Sequence, residues 1–141
     1  MTWQAPQVGA RAIWTRTFTA DDVEAFARIS GDRNPLHFDE AFAGRTKVGR
    51  LVVQGGLTTG LFNALVAMEL PGPGSVFLHQ EWDYPAPVFI GDTVTAEAEV
   101  TEARADKPIT SLRCIVRRED GTEVLRGTCL VYTMLPDASP A

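Results

Sequence analysis

The stretch LVVQGGLTTGLFNALVAMELPGPG, residues 51–74, limits the possible folds more than any other part of this chain. Leu57, Leu61, Leu65 and Met68 lie near one helical stripe, and Phe62, Ala64, Val66 and Ala67 carry the apolar surface almost all round. A helix of that kind is buried, and it must be covered by something other than water. It starts at Gly55–Gly56 and stops at Pro71–Gly72. The cover follows at once. SVFLHQEWDY, DTVTAEAEVTEAR, ITSLRCIVRRE and EVLRGTCLVYTML are rich in β-branched and aromatic residues and read as strands, with Asp120–Gly121 as a hairpin turn. Pro85 and Pro87 mark a bend before Val88. The pattern predicts an α+β fold, an antiparallel sheet wrapped around one central helix.

Upstream, residues 11–18 alternate as a short strand. Thr19 reads as a helix N-cap, with Asp22 three residues on completing a variant of the capping box. Val23, Phe26 and Ala27 form the inner face of the helix that follows, and Ser30–Gly31 end it. A short helix is expected near residues 39–44. Residues 1–136 read as one domain, and 137–141 as a disordered tail. No apolar run is long enough to span a membrane. The N-terminus lacks the basic start and apolar stretch of a signal peptide, so a cytoplasmic location is expected. The net charge of −5 argues against a nucleic-acid binder. It leaves room for a local basic patch, and Arg45, Lys47 and Arg50 form one cluster, Arg113, Arg117 and Arg118 another. A solvated surface is the plainer reading of each. Cys114 and Cys129 belong to no C-x-x-C pair and read as small core residues.

Two places can hold chemistry. The turn Gly31-Asp32-Arg33-Asn34-Pro35-Leu36-His37 sets a carboxylate and an imidazole in a proline-containing loop, where no regular packing calls for them. Those side chains suit proton transfer near neutral pH. The plainer reading is that Asp32 caps a turn and His37 begins a helix. A metal site from Asp32, His37, Asp39 and Glu40 has little to recommend it, since it holds one histidine and meets no ligand spacing. The second place is Gly55–Gly56. The first amides of a helix lack intrahelical partners, and glycine lets a ligand approach them, so a thioester oxygen gaining charge could be held there. A tight strand-to-helix turn explains the glycines equally well.

The run FTADDVEAFARISGDRNPLHFDEAFA resembles the signature of the MaoC-like, (R)-specific enoyl-CoA hydratases, the hydratase 2 family. Its core, D-x-N-P-x-H, is intact as Asp32, Asn34, Pro35 and His37. The segments LPGPGSVFLHQEWDY and PVFIGDTVTAEAEVTEARADKPI are also similar to the short, single-domain bacterial members. The resemblance implies a hot-dog fold, a homodimer, and reversible syn addition of water to a trans-2-enoyl-CoA. It implies catalytic roles for Asp32 and His37, with Asn34 orienting the water or the pair and the Gly55 amide binding the thioester oxygen. Gln54, Gly56, Leu61, Phe62, Asn63, Leu65 and Val66 would contact the substrate, and no metal or other cofactor is required. Gln54 stands where members usually carry histidine, and Asn63 where many carry serine. Those departures bear on the substrate more than on the reaction. The rival readings are a dehydratase acting on acyl carrier protein, a thioesterase, and a non-catalytic acyl-CoA binding module.

Overall fold

The computed structural model describes residues 2–137, so most of the expected disordered tail, residues 138–141, lies outside the described residues. The elements run β1 (Arg11–Thr17), α1 (Ala20–Ser30), α2 (Pro35–Phe38), α3 (Glu40–Gly44), α4 (Gly55–Met68), β2 (Ser75–Asp83), β3 (Thr93–Ala103), β4 (Ile109–Arg118) and β5 (Glu123–Thr133). All five strands form one antiparallel sheet in the order β1-β3-β4-β5-β2. Inward and outward positions alternate along β3 and β4, as a sheet with one covered face requires. Val94, Ala96, Ala98 and Val100 of β3 join Leu112, Cys114 and Val116 of β4 beneath α4. The outer face carries ion pairs instead, among them Arg11 with Glu97 and Glu99, and Arg113 with Glu99. Those arginines hold the Glu99 carboxyl below the usual carboxylate range, through hydrogen bonding from Arg11 first.

Local signals in the sequence are met closely. Thr19 caps α1 and forms a complete capping box with Asp22, and Gly31 ends the helix in the left-handed region at φ 81°. The Asp120–Gly121 turn joins β4 to β5, with the Gly121 amide bonded to the Arg118 carbonyl at 2.9 Å. Cys114 and Cys129 are buried with their sulfurs 3.8 Å apart. Their mutual contact and their burial push the Cys114 thiol far above its ordinary pKa. One expectation needs correction. α4 is not enclosed all round, nor along the stripe ending at Met68. Its buried residues are Thr58, Leu61, Phe62, Leu65 and Val66, while Met68 is 65% exposed. The reason is geometric, because one sheet covers only the side of a helix that faces it.

Candidate active site

α1 ends at Ser30, and the turn that follows is built from its own side chains. The Asp32 amide donates to Ser30 Oγ at 3.1 Å, and Asp32 Oδ1 accepts from the Asn34 amide at 3.1 Å. Asn34 Oδ1 then accepts from the Leu36 amide at 3.0 Å, which makes Asn34 the N-cap of α2 with Pro35 in the first turn. Proline there loses no helical hydrogen bond and presets φ. The D-x-N-P-x-H spacing thus has a mechanical basis: one side chain folds the turn and the next starts the helix that presents His37.

His37 is anchored from the opposite side. Its Nδ1 lies 2.7 Å from the Val52 carbonyl, and the Val52 amide donates to the Leu36 carbonyl at 3.1 Å. A carbonyl only accepts, so Nδ1 carries the hydrogen and Nε2 of the neutral ring is a bare lone pair. That Nε2 faces Asp32 Oδ2 at 3.5 Å, with the imidazole 8% exposed and the carboxylate 41%. Two acceptors confront each other at this gap. They are reconciled by a proton on Nε2 or by a donor, such as water, that serves both. Arg33, between them in sequence, leaves the pair alone. It is drawn to Glu24 at 2.9 Å and lies 5.5 Å from the centre of the Phe38 ring. Its hydrogen bond holds the Glu24 carboxyl below the ordinary range.

The segment that anchors His37 leads directly into α4. Gly55 and Gly56 occupy the first turn, behind Gln54, whose side chain makes no capping bond. Each glycine is covered by an aromatic ring. A Cβ on Gly55 would lie 3.0 Å from Tyr84 Cε2, and one on Gly56 only 2.3 Å from Phe26 Cζ. The two glycines also open into different clefts. Gly55 lines one of about 280 Å³ with Val52, Thr58, Tyr84 and Pro87. Gly56 lines a larger groove of about 490 Å³ between α1 and α4, with Phe26, Ile29, Leu57, Leu61 and Asn63.

The residues expected to contact substrate are divided between these places. Phe62, Leu65 and Val66 are enclosed between α4 and the sheet, where Phe62 stacks on Trp82 at 5.3 Å. Leu61 is buried but borders the α1–α4 groove, and Asn63 is exposed along it. Gln54 turns inward. It is 1% exposed, its Nε2 donates to the Val23 carbonyl at 3.0 Å, and its Oε1 has no partner among the described residues. Gln54 therefore ties the start of α1 to the start of α4. Asp39 caps α3 by accepting from the Phe42 amide at 3.0 Å, and no metal-holding group of three His, Cys, Asp or Glu occurs among the described residues. Sequence reasoning missed the Val52 carbonyl, because a backbone acceptor leaves no residue-type signal. It also missed the rings of Phe26 and Tyr84 over the glycines. A close approach is one reason for glycine, but its partner cannot be read from the glycine itself.

Comparison with known proteins gives a consistent result. The family model described as MaoC like domain matches residues 4–117. The chain is 44% identical to an (R)-specific enoyl-CoA hydratase of Aeromonas caviae, over 93% of this chain and 98% of that protein. It is 40% identical to a 3-hydroxybutyryl-CoA dehydratase of Methylorubrum extorquens, over 89% and 79%. Among solved structures, an (R)-hydratase from A. caviae involved in PHA biosynthesis superposes with a TM-score of 0.89 at 42% identity, covering 94% of this chain and all of that one.

Proposed function

Since this chain belongs to the MaoC-like family, we propose that it adds water reversibly to trans-2-enoyl-CoA, giving the (R)-3-hydroxyacyl-CoA. It is a hydro-lyase with the hot-dog fold of its relatives. The observation that carries the assignment to residues is the 3.5 Å approach of His37 Nε2 to Asp32 Oδ2, with Nδ1 committed to Val52. A water donating one hydrogen to each acceptor leaves its oxygen lone pairs free to attack Cβ. The proton it loses is taken up by the pair and then delivered to Cα from the same side, which makes the addition syn. Asn34 acts by holding the turn and capping α2. The Gly55 amide, among the unpartnered donors of the α4 start, receives the negative charge that develops on the thioester oxygen. Asp32 and His37 move the proton, the helix start stabilises the enolate, and the proposed reaction draws on no resident metal or redox cofactor.

The working unit proposed is a homodimer in the cytoplasm. β2 is an edge strand whose outer side is unpaired in the single chain, and its Val76 and Leu78 are exposed. The open face of α4 also needs a cover. An open edge and an apolar groove together favour association. Light scattering at micromolar concentration should give twice the chain mass, and a fully active monomer would contradict the assembly.

The favoured acyl group is short, about four to six carbons. Each added CH₂ contributes roughly 0.8 kcal/mol only while apolar space remains, and Phe62 and Leu65 already fill the space between helix and sheet. The name of the M. extorquens relative refers to a four-carbon substrate. Across a straight-chain enoyl-CoA series, kcat/KM should rise and then fall sharply beyond that length. A maximum at about ten or twelve carbons would show a pocket open at its far end.

A further inference from the structure

Every arginine on a strand has a carboxylate within ion-pairing distance: Arg11, Arg16, Arg113, Arg117, Arg118 and Arg126. The loop between α3 and Val52 is different. Among the described residues Arg45, Lys47 and Arg50 have no ion-pair partner, although the protein carries a net charge of −5. The loop is compact. The Arg45 and Thr46 amides donate back to α3, and the Gly49 amide closes a turn on the Thr46 carbonyl at 3.2 Å. A Cβ on Gly44 would lie 3.9 Å from the Gly49 carbonyl oxygen, so Arg45 and Arg50 leave neighbouring stretches of backbone.

Arg50 is also held in place. Its guanidinium lies 3.9 Å from the centre of the Phe89 ring, and Phe89 is bridged to Val52. Stacking restrains a guanidinium while leaving its N–H edge free to bind a planar or tetrahedral oxyanion. Three carboxylates, Asp92, Glu119 and Asp120, line the cleft on the Phe89 side, and Asp92 and Asp120 have hydrogen-bond partners there. Asp92 Oδ2 accepts from the Phe89 amide at 2.8 Å, and Asp120 serves Arg118 and the Thr122 amide. Glu119 lines the same cleft, and on its other side Arg50 borders a second cleft of about 500 Å³ with Glu40, Gly49 and Leu51.

We propose that the loop of residues 45–50, with Arg50 as its fixed member, binds the phosphate groups of the coenzyme A thioester. The inference rests on the hydratase reading, which supplies a substrate with a phosphorylated tail. Arg50 is two residues from Val52, at most about 7 Å of chain, and Val52 anchors His37 and lines the Gly55 cleft. The thioester lies at the helix start by Gly55, five residues from Arg50 and so at most about 18 Å of chain away, a span of the order of the extended pantetheine arm, so the phosphates can reach the loop.

The test compares crotonyl-CoA with crotonyl-pantetheine, which has the same reacting end and no phosphate. In Arg50→Gln the ratio of KM for crotonyl-CoA to KM for crotonyl-pantetheine should rise about 10-fold, and further when Arg45→Gln and Lys47→Gln are added. Lys107→Gln, on another loop, should leave the ratio alone. Calorimetry with adenosine 3′,5′-bisphosphate gives a readout that needs no turnover: wild type should bind it, and Arg50→Gln should bind it about 10-fold more weakly. An unaltered ratio with unaltered bisphosphate binding would overturn the proposal. A rise in KM confined to crotonyl-acyl carrier protein would overturn it too, by making the loop a protein-docking surface. Bisphosphate binding lost on mutation, in a protein that hydrates neither thioester, would instead reject the hydratase reading and keep the phosphate site.

Discussion

Asp32→Asn is expected to lower kcat for crotonyl-CoA by about 10²- to 10⁴-fold, the range for losing a positioned proton-transfer group, with little change in melting temperature. The fold should survive because asparagine keeps the oxygen that accepts from the Asn34 amide, the bond that shapes the turn. What disappears is the carboxylate charge opposite His37 Nε2. His37→Ala should be as inactive but less informative. It leaves the Val52 carbonyl without its partner and opens a hole in a buried position, at a cost of about 1–3 kcal/mol for the unmet acceptor. His37→Asn separates the two effects, since its amide can donate to Val52 while offering nothing at the position of Nε2. All three should fall together in progress curves of enoyl absorbance. Normal turnover by Asp32→Asn would remove Asp32 from the chemistry.

The largest effect on stability is expected from Gly127→Ala. Gly127 lies in β5, opposite Trp82 of β2 and Cys114 of β4. A Cβ there would stand 1.8 Å from the Glu81 carbonyl oxygen and 2.9 Å from Trp82 Cε3. The first obstacle is backbone, so no rotamer change relieves it and β2 must move. Trp82 stacks on Phe62 of the central helix, so that movement spreads into the core. Overpacking typically costs 1–3 kcal/mol, and a backbone clash belongs at the upper end, about 3 kcal/mol or more. For a domain of this size the melting temperature should fall by about 10 °C. A drop below about 3 °C would mean that β2 is held more loosely than its ladder implies.

Much of this architecture was legible because it is written locally. Thr19 and Asp22 make a capping box within four residues, Gly31 takes a positive φ, and Asp120–Gly121 turns a hairpin. The Asp32–Asn34–Pro35 turn is likewise made of neighbours, which is why a short motif could mark it. The illegible parts depend on chain segments far apart. The partner that leaves His37 Nε2 bare is a carbonyl fifteen residues away. Gly56 is small because Phe26 of another helix lies against it. Helical periodicity named the residues of α4 but not the side the sheet would take, so Met68 was placed inward and Thr58 was overlooked. The resemblance implies substrate contact for Gln54, and nothing in the sequence shows that its amide also joins two helices. The arginine clusters looked alike in sequence. Only their partners in the fold distinguish Arg113, Arg117 and Arg118, each within ion-pairing distance of a carboxylate, from Arg45, Lys47 and Arg50.

The most direct test of the central claim is to follow crotonyl-CoA with wild-type protein in D₂O and resolve the product. Enoyl absorbance should be lost without release of free thiol. The product should be (R)-3-hydroxybutyryl-CoA carrying one deuterium at Cα, on the face that received the oxygen. Release of coenzyme A would make the protein a thioesterase, tight binding with unchanged absorbance would make it a binding module, an (S) product would contradict the (R)-hydratase assignment, and deuterium on the face opposite the oxygen would contradict a single water held between Asp32 and His37.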